Sequence, residues 1–365
     1  MSTQPTKMKY SGNIFFHVFL SFMLAATSCN NTVNYKNPIL PGSCYPQATL
    51  FNGMYYFVMQ DSSSCRIVLS CTDDLTKLAT CERQTVWKPA DPKASKNIWS
   101  PELHLINNIW YIYFEADDGN TDNHQLYVLE NKAANPMEGT FRLKSRLTTN
   151  AEWNWSIHPT TFQNKGVQYL VWSGWPKRRA EEETQCIYIA RMENPWTIGT
   201  ERVLISRPDY EWERQWIDPD GSRSAYPIYV NESPHAFFSK DQSKVIICYS
   251  ASGCWTLYNA VGMLYADADS DLLNPESWHK SDEPVFTSAP ENNIYGPSDI
   301  CTVPSIDGSK TYLLYDAKQK TKEGTVKSIY MQELEWDEKG MPVFGKPQKP
   351  DDTLQFSKAK PQREG

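Results

Sequence analysis

The sequence predicts an all-β chain folded as a five-bladed β-propeller, and three observations carry that expectation. Helical periodicity never persists, and short β-rich runs separated by Asn, Asp, Gly and Pro dominate. A unit also recurs: Tyr55-Tyr56-Phe57-Val58, Trp110-Tyr111-Ile112-Tyr113-Phe114, Tyr169-Leu170-Val171-Trp172, Val245-Ile246-Ile247-Cys248-Tyr249 and Tyr312-Leu313-Leu314-Tyr315. Each reads as an inner strand, and most are followed by a second apolar strand, such as Gln125-Leu126-Tyr127-Val128-Leu129 or Ser328-Ile329-Tyr330-Met331. Finally, the pitch of the unit is very roughly 60 residues, the spacing of one small sheet after another. A two-sheet sandwich with irregular insertions accounts less well for the recurrence.

Taken in order, the blades are expected to begin near Asn37, Ser95, Asn150, Tyr226 and Pro290, with Asn37-Pro38-Ile39-Leu40 closing the ring against the last blade. Residues 30–347 form the propeller on this reading, and 348–365, rich in Lys and Gln, form a flexible tail. Before them, Lys7 and Lys9 precede an apolar stretch from Ile14 to Leu24 that meets Ala25, Ala26, Thr27 and Ser28 ahead of Cys29. That is the layout of a secretory signal over residues 1–29, too short for a membrane span of about 20 apolar residues. Cys29 followed by Asn30 and Asn31 resembles the end of a bacterial lipoprotein signal, although the usual Leu three residues earlier is missing. The expectation is a lipid anchor at Cys29, with the chain in the periplasm or on the outer-membrane surface; cleavage near Ala26 with an unmodified cysteine is the other reading.

Composition narrows the partners. The chain is 13% aromatic, with 13 Trp and 20 Tyr, yet its mean hydropathy is -0.57, which suits short strands and a stacking surface for a flat ligand. A net charge of -7 provides no basic field, so nucleic acid is excluded as a partner. Of nine cysteines, eight follow Cys29. Cys186 and Cys248 sit in apolar runs as small core residues, while Cys65, Cys71 and Cys81 are close enough in sequence for a local bridge. No Cys or His spacing suits a metal, so neither a metal site nor a cofactor is predicted.

A series of segments resembles family 43 glycoside hydrolases, particularly their α-L-arabinofuranosidase-like branch, over about residues 37 to 347. The carriers include Asn37-Pro38-Ile39-Leu40-Pro41-Gly42, Trp99-Ser100-Pro101-Glu102-Leu103-His104, Tyr169-Leu170-Val171-Trp172-Ser173-Gly174, Asn194-Pro195-Trp196-Thr197, Val230-Asn231-Glu232-Ser233-Pro234 and Tyr295-Gly296-Pro297. The resemblance implies a five-bladed propeller with an axial pocket and an inverting mechanism, in which one carboxyl protonates the leaving oxygen and a carboxylate roughly 6.5–9.5 Å away activates water. Glu232 falls on the general-acid position. Where the family reads Tyr-Pro-Asp-Pro, with the Asp as base, this chain has Tyr45-Pro46-Gln47-Ala48, after a turn that looks one residue longer. A glutamine amide takes up no proton near neutral pH, so Gln47 could at most position water. A second Asp position is His158, in Trp155-Ser156-Ile157-His158-Pro159, and an axial His position is Asp299, in Gly296-Pro297-Ser298-Asp299.

Two readings follow. In one, Glu232 donates the proton and Glu102, Asp299 or a neutral His158 serves as base; Asp218 and Asp220 are outside candidates, better explained by an Asp-Pro-Asp-Gly turn. In the other, a pseudoenzyme binds sugar without cleaving it; a purely structural role offers no reason for an acid at position 232. Under either catalytic or binding reading, Gln47, Trp99, His104, Trp175, Trp255 and Tyr295 are expected to face an oligosaccharide or polysaccharide side chain, against the alternative that these aromatics pack blade cores. A monomer is expected. A protonated His158 beside Glu232 would lower the acid's pKa, the wrong direction, unless a His158–Asp299 ion pair offsets it.

Overall fold

The computed structural model describes residues 32–358, apart from 62, 64, 152–154, 178–182, 219 and 222–227. The signal segment and Cys29 lie outside the described residues. After β1 (Thr32–Tyr35), the first blade comprises β2 (Ala48–Phe51), β3 (Met54–Asp61), β4 (Arg66–Thr72) and β5 (Gln84–Trp87). The second comprises β6 (Lys96–Ile106), β7 (Ile109–Asp117), β8 (Gln125–Asn131) and β9 (Arg142–Leu147). The third has β10 (Ser156–Asn164), β11 (Val167–Gly174) and β12 (Glu183–Asn194), with β13 (Thr197–Ile198) and β14 (Val203–Ser206) both pairing β12. The fourth runs β15 (Ile228–Phe238), β16 (Lys244–Ala251), β17 (Ala260–Asp267) and β18 (His279–Lys280); the fifth runs β19 (Tyr295–Pro304), β20 (Thr311–Thr321), β21 (Gly324–Trp336) and β22 (Pro342–Val343). The chain is thus an all-β, five-bladed propeller. A short parallel pairing of β12 with β15 joins blades three and four into one sheet.

The first strands β2, β6, β10, β15 and β19 contact one another in a closed ring around the axis. The aromatic runs expected to be innermost are instead the second strands, β3, β7, β11, β16 and β20. They read as continuous apolar stretches because each is covered on both faces by neighbouring blades. Five apolar cores fill the gaps between adjacent blades. Tyr55 and Phe57 pack with Tyr312 and Leu314 between blades one and five, Val58 and Leu69 with Ile112 and Phe114 between one and two, and so on round the ring.

Ring closure differs from the sequence expectation in two ways. Asn37-Pro38-Ile39-Leu40 contributes a single bridge, Leu40 to Ile329 of β21, rather than a blade strand; Asn37 adds hydrogen bonds of 2.9 Å to both main-chain groups of Met331. The tail expected to be flexible contains β23 (Leu354–Ser357), which pairs antiparallel with β1. Phe356 is the reason: it is fully buried and stacks on Tyr312 with ring centroids 4.9 Å apart, while Lys358 reaches Asp74 at 2.8 Å. One apolar anchor every few residues suffices to order a segment whose composition is otherwise polar. The eight described cysteines are all free, so the local bridge among Cys65, Cys71 and Cys81 is not formed.

Candidate active site

Each first strand enters the ring through a residue in the left-handed region: Tyr45 (φ 56°), Ser100 (42°), His158 (51°), Ser233 (50°) and Asp299 (49°). Four of the five precede proline, namely Pro46, Pro101, Pro159 and Pro234. In blades two to five the register against the second strand slips at this point, between Trp99/Glu102, Ile157/Thr160, Glu232/His235 and Ser298/Cys301. A bulge with a left-handed residue re-aims the side chain away from the pleat, at a backbone cost of about 1–3 kcal/mol that only surrounding packing can hold. All five residues line one cavity of about 30 Å³ at the axis, with room for ordered water but not for a sugar ring.

This repeat sets Gln47 apart from the left-handed positions. The left-handed position equivalent to His158 and Asp299 is Tyr45; Gln47 lies two residues on, matching Glu102, Thr160, His235 and Cys301, which share a second axial chamber with it, while Gln47 and Glu102 also line the first cavity. Gln47 Nε2 donates to Glu102 Oε1 at 2.7 Å, and His104 Nε2 lies 2.9 Å from Glu102 Oε2. Both oxygens of Glu102 are therefore engaged.

Glu232 is buried (6% exposed). Burial first, and then the nearby charge of Asp299, push its carboxyl up to about 8, so it holds its proton at neutral pH. His158 does not oppose this. Its Nδ1 accepts the Ser233 N–H at 3.1 Å, which places the ring proton on Nε2, 3.6 Å from Glu115 Oε1. Burial pushes the imidazole down to about 4, and Glu115, fully buried, is pushed well above the carboxylate range by desolvation. The expected depression of the acid by a protonated His158, 3.9 Å away, does not arise because the ring is neutral.

The carboxylate lies in blade five. Lys327 Nζ donates to Asp299 Oδ2 at 3.1 Å and lies 3.0 Å from Asp316 Oδ2. Asp316 also accepts from Ser298 Oγ at 2.6 Å and from the Tyr45 N–H at 3.1 Å. With one ammonium between two buried carboxyls, one keeps its charge and the other its proton. Burial alone would raise Asp299, but Lys327 holds it well below the usual range, whereas burial and the Asp299 charge push Asp316 up to about 8. The supposed His158–Asp299 ion pair is absent: each has its own partners, and no contact within 4.0 Å joins them.

The aromatics divide. Trp175 is buried against Trp155, centroids 4.6 Å apart, Trp99 stacks on His124 at 4.2 Å, and Tyr295 lies under Lys320 at 4.6 Å; none lines the axial cavity. Trp255, half-buried with its Nε1 donating to Trp216 O at 3.1 Å, lines a wider cleft of about 410 Å³ with Asp218, Asp220, Lys318, Lys320 and Lys327. Sequence reasoning missed Asp316, Lys327, Glu115 and Tyr45. A signal existed for two of them: Glu115 and Asp316 each end an aromatic run and oppose Trp99 and Ser298, the residues just before the left-handed positions.

A propeller that gathers a protonated and an ionised carboxyl at one end of its axis has the equipment of an acid–base catalyst. The chain belongs to glycosyl hydrolases family 43, whose sequence pattern matches residues 35–342. It is 34% identical over 334 residues to an extracellular exo-α-(1→5)-L-arabinofuranosidase of Streptomyces avermitilis, covering 88% of this chain and 66% of that protein. A protein of the same description from Streptomyces chartreusis is 32% identical over 289 residues, covering 78% of this chain and 83% of that one. The solved α-L-arabinofuranosidase from Lactobacillus brevis aligns with a TM-score of 0.77 at 29% identity, over 87% of this chain and 98% of that chain. The chain spans just under two thirds of the length of the Streptomyces avermitilis relative.

Proposed function

We propose that the chain is an exported, inverting glycoside hydrolase that removes arabinofuranose-type side chains from glycans, with Glu232 as general acid and Asp299 as the base that activates water. The observation that carries this reading is the separation of the two titrations: Glu232 is held protonated and Asp299 ionised, with Asp299 and Ser233, the neighbour of Glu232, lining a cavity sized for water. Of the three candidate bases, His158 spends its free nitrogen on Ser233 and Glu102 is tied to Gln47 and His104; Asp299 is engaged too, by Lys327 and Ser250, and is preferred because Lys327 keeps it ionised at the wall of the axial cavity. The names of the relatives support arabinofuranose as the sugar and export as the destination.

The second reading, a sugar-binding pseudoenzyme, is favoured by Tyr45 standing where the ring of first strands would otherwise present a carboxylate. One experiment separates the two: hydrolysis of aryl arabinofuranosides and arabino-oligosaccharides by wild type, Glu232→Ala and Asp299→Asn, with binding measured in parallel. Hydrolysis lost in both variants with binding retained supports the enzyme; binding with no wild-type hydrolysis supports the pseudoenzyme. For the anchor, Cys29→Ala should release the protein from membranes, and equal membrane recovery of both forms would exclude lipidation.

A further inference from the structure

We propose that the cleft beside the axial site is a subsite for a single acidic sugar, a hexuronate whose carboxylate is held by Lys318 and Lys320; this rests on the glycosidase reading above and names the kind of glycan it acts on. At about 410 Å³ the cleft suits one small ligand, and it adjoins the axial residues because Lys327, which holds Asp299, forms part of its wall.

Lys318 carries the argument. It is only 8% exposed, and its ammonium donates to the main-chain carbonyls of Cys254, at 2.6 Å, and Thr256. An ammonium has three donors, and among the described residues no carboxylate lies within 4.0 Å of this one. Asp316 and Asp218 act on it only at longer range, so this buried cation, solvated by two neutral carbonyls, has no anion in contact with it among the described residues. Lys320, on the same strand and the same wall, lies over the Tyr295 ring and likewise has no carboxylate partner among the described residues. A neutral sugar would leave both ammonium groups without a carboxylate in contact. A carboxylate spanning them would form charge-assisted hydrogen bonds with each.

The other walls suit the rest of such a ligand. The Trp255 ring, fixed by its hydrogen bond to Trp216, offers a flat apolar face. Asp218, whose Oδ1 holds the Leu257 N–H at 2.7 Å, presents a carboxylate able to accept from sugar hydroxyls. The cleft thus holds ammonium groups for a carboxylate and, in Asp218 and Asp220, acceptors for hydroxyls, the two kinds of group that a uronate ring carries. The net charge of -7 disfavours a long polyanion, so the ligand is one acidic unit within an otherwise neutral glycan.

The test uses the full chain and free D-glucuronate, D-galacturonate, D-glucose and D-galactose, with binding followed by calorimetry at low and high salt. The uronates should bind about tenfold or more tightly than the matched neutral sugars, as expected for a charge-assisted pair. That preference should fall with salt and vanish in Lys320→Met, an exposed-wall change that leaves the fold intact, and in Lys318→Met checked for folding by its thermal transition. Equal affinity for glucose and glucuronate, or a uronate preference unchanged in both variants, overturns the assignment. Wild-type hydrolysis of a neutral aryl arabinofuranoside is measured alongside: its presence without uronate preference overturns the acidic subsite alone, and its absence with uronate preference supports the subsite while overturning the hydrolase reading.

Discussion

The two sides of the axis treat the same residue type in opposite ways. On the side of blades one and two, Glu102 has both oxygens engaged by Gln47 and His104. On the side of blades four and five, Glu232 faces a neutral imidazole and a charged aspartate, and keeps its proton. Both glutamates are equally buried, at 6% exposure. Burial alone therefore does not define a catalytic carboxyl; the partners do.

The sharpest way to break this comparison is to neutralise each glutamate in turn. Glu232→Gln should lower kcat on an aryl arabinofuranoside by about 10²–10⁴-fold, the range for loss of a general acid, with KM little changed. Glu102→Gln should cost far less, and equal losses would show that the two sides are not distinct. Next in size is Lys327→Met, which leaves Asp299 and Asp316 buried without their cation. The thermal transition should fall by the equivalent of about 3–5 kcal/mol, as when one partner of a buried pair is removed, and an unchanged transition would mean that the ammonium is not what balances them.

The pH dependence follows from the same groups. Glu232, raised to about 8, must be protonated and Asp299, lowered, must be ionised, so kcat/KM should hold through neutral pH and fall as pH rises through about 8. For stability, the folded state binds more protons than the unfolded state between the ordinary value of 4.5 and about 8, so stability falls as pH rises across that window. Glu232→Gln should flatten the slope in a denaturant series from pH 5 to 8, while Asp316, raised to about 8, keeps part of it. An identical slope in wild type and variant counts against the burial argument. The smallest expected effect contrasts two tryptophans: Trp255→Ala should raise KM about tenfold, the size of one lost stacking contact, whereas Trp175→Phe, inside the stack with Trp155, should alter the thermal transition and leave KM alone.

Much of the fold was legible because the blades repeat: a continuous apolar, aromatic-rich run is readable wherever it recurs, and the expected starts near Ser95, Asn150 and Pro290 fall just before Lys96, Ser156 and Tyr295. The strand order within a blade was less so, since first strands carry short polar stretches that face the axis and produce no apolar signal. The closing strand β23 was hidden in a polar tail held chiefly by Phe356. At the candidate site, Glu232 stood out by its flanking residues, but Asp316 and Lys327 did not, because their contacts depend on a three-way meeting of strands β19, β20 and β21 that spacing along the chain does not disclose. The left-handed position of blade one was not legible, because a turn that looks one residue longer shifts the alignment there, and only the left-handed φ of Tyr45 marks it.

That recurring left-handed residue makes the axial ring a set of interchangeable sockets. Each blade offers the same backbone bend at the same height, so a functional group can migrate from one blade to another by point substitution without remodelling any loop. Asp299 in blade five and Tyr45 in blade one illustrate such a permutation. A designer could use the symmetry directly, placing Asp at position 45 and a neutral residue at 299, and thereby move the buried aspartate around the axis while Glu232 stays in place.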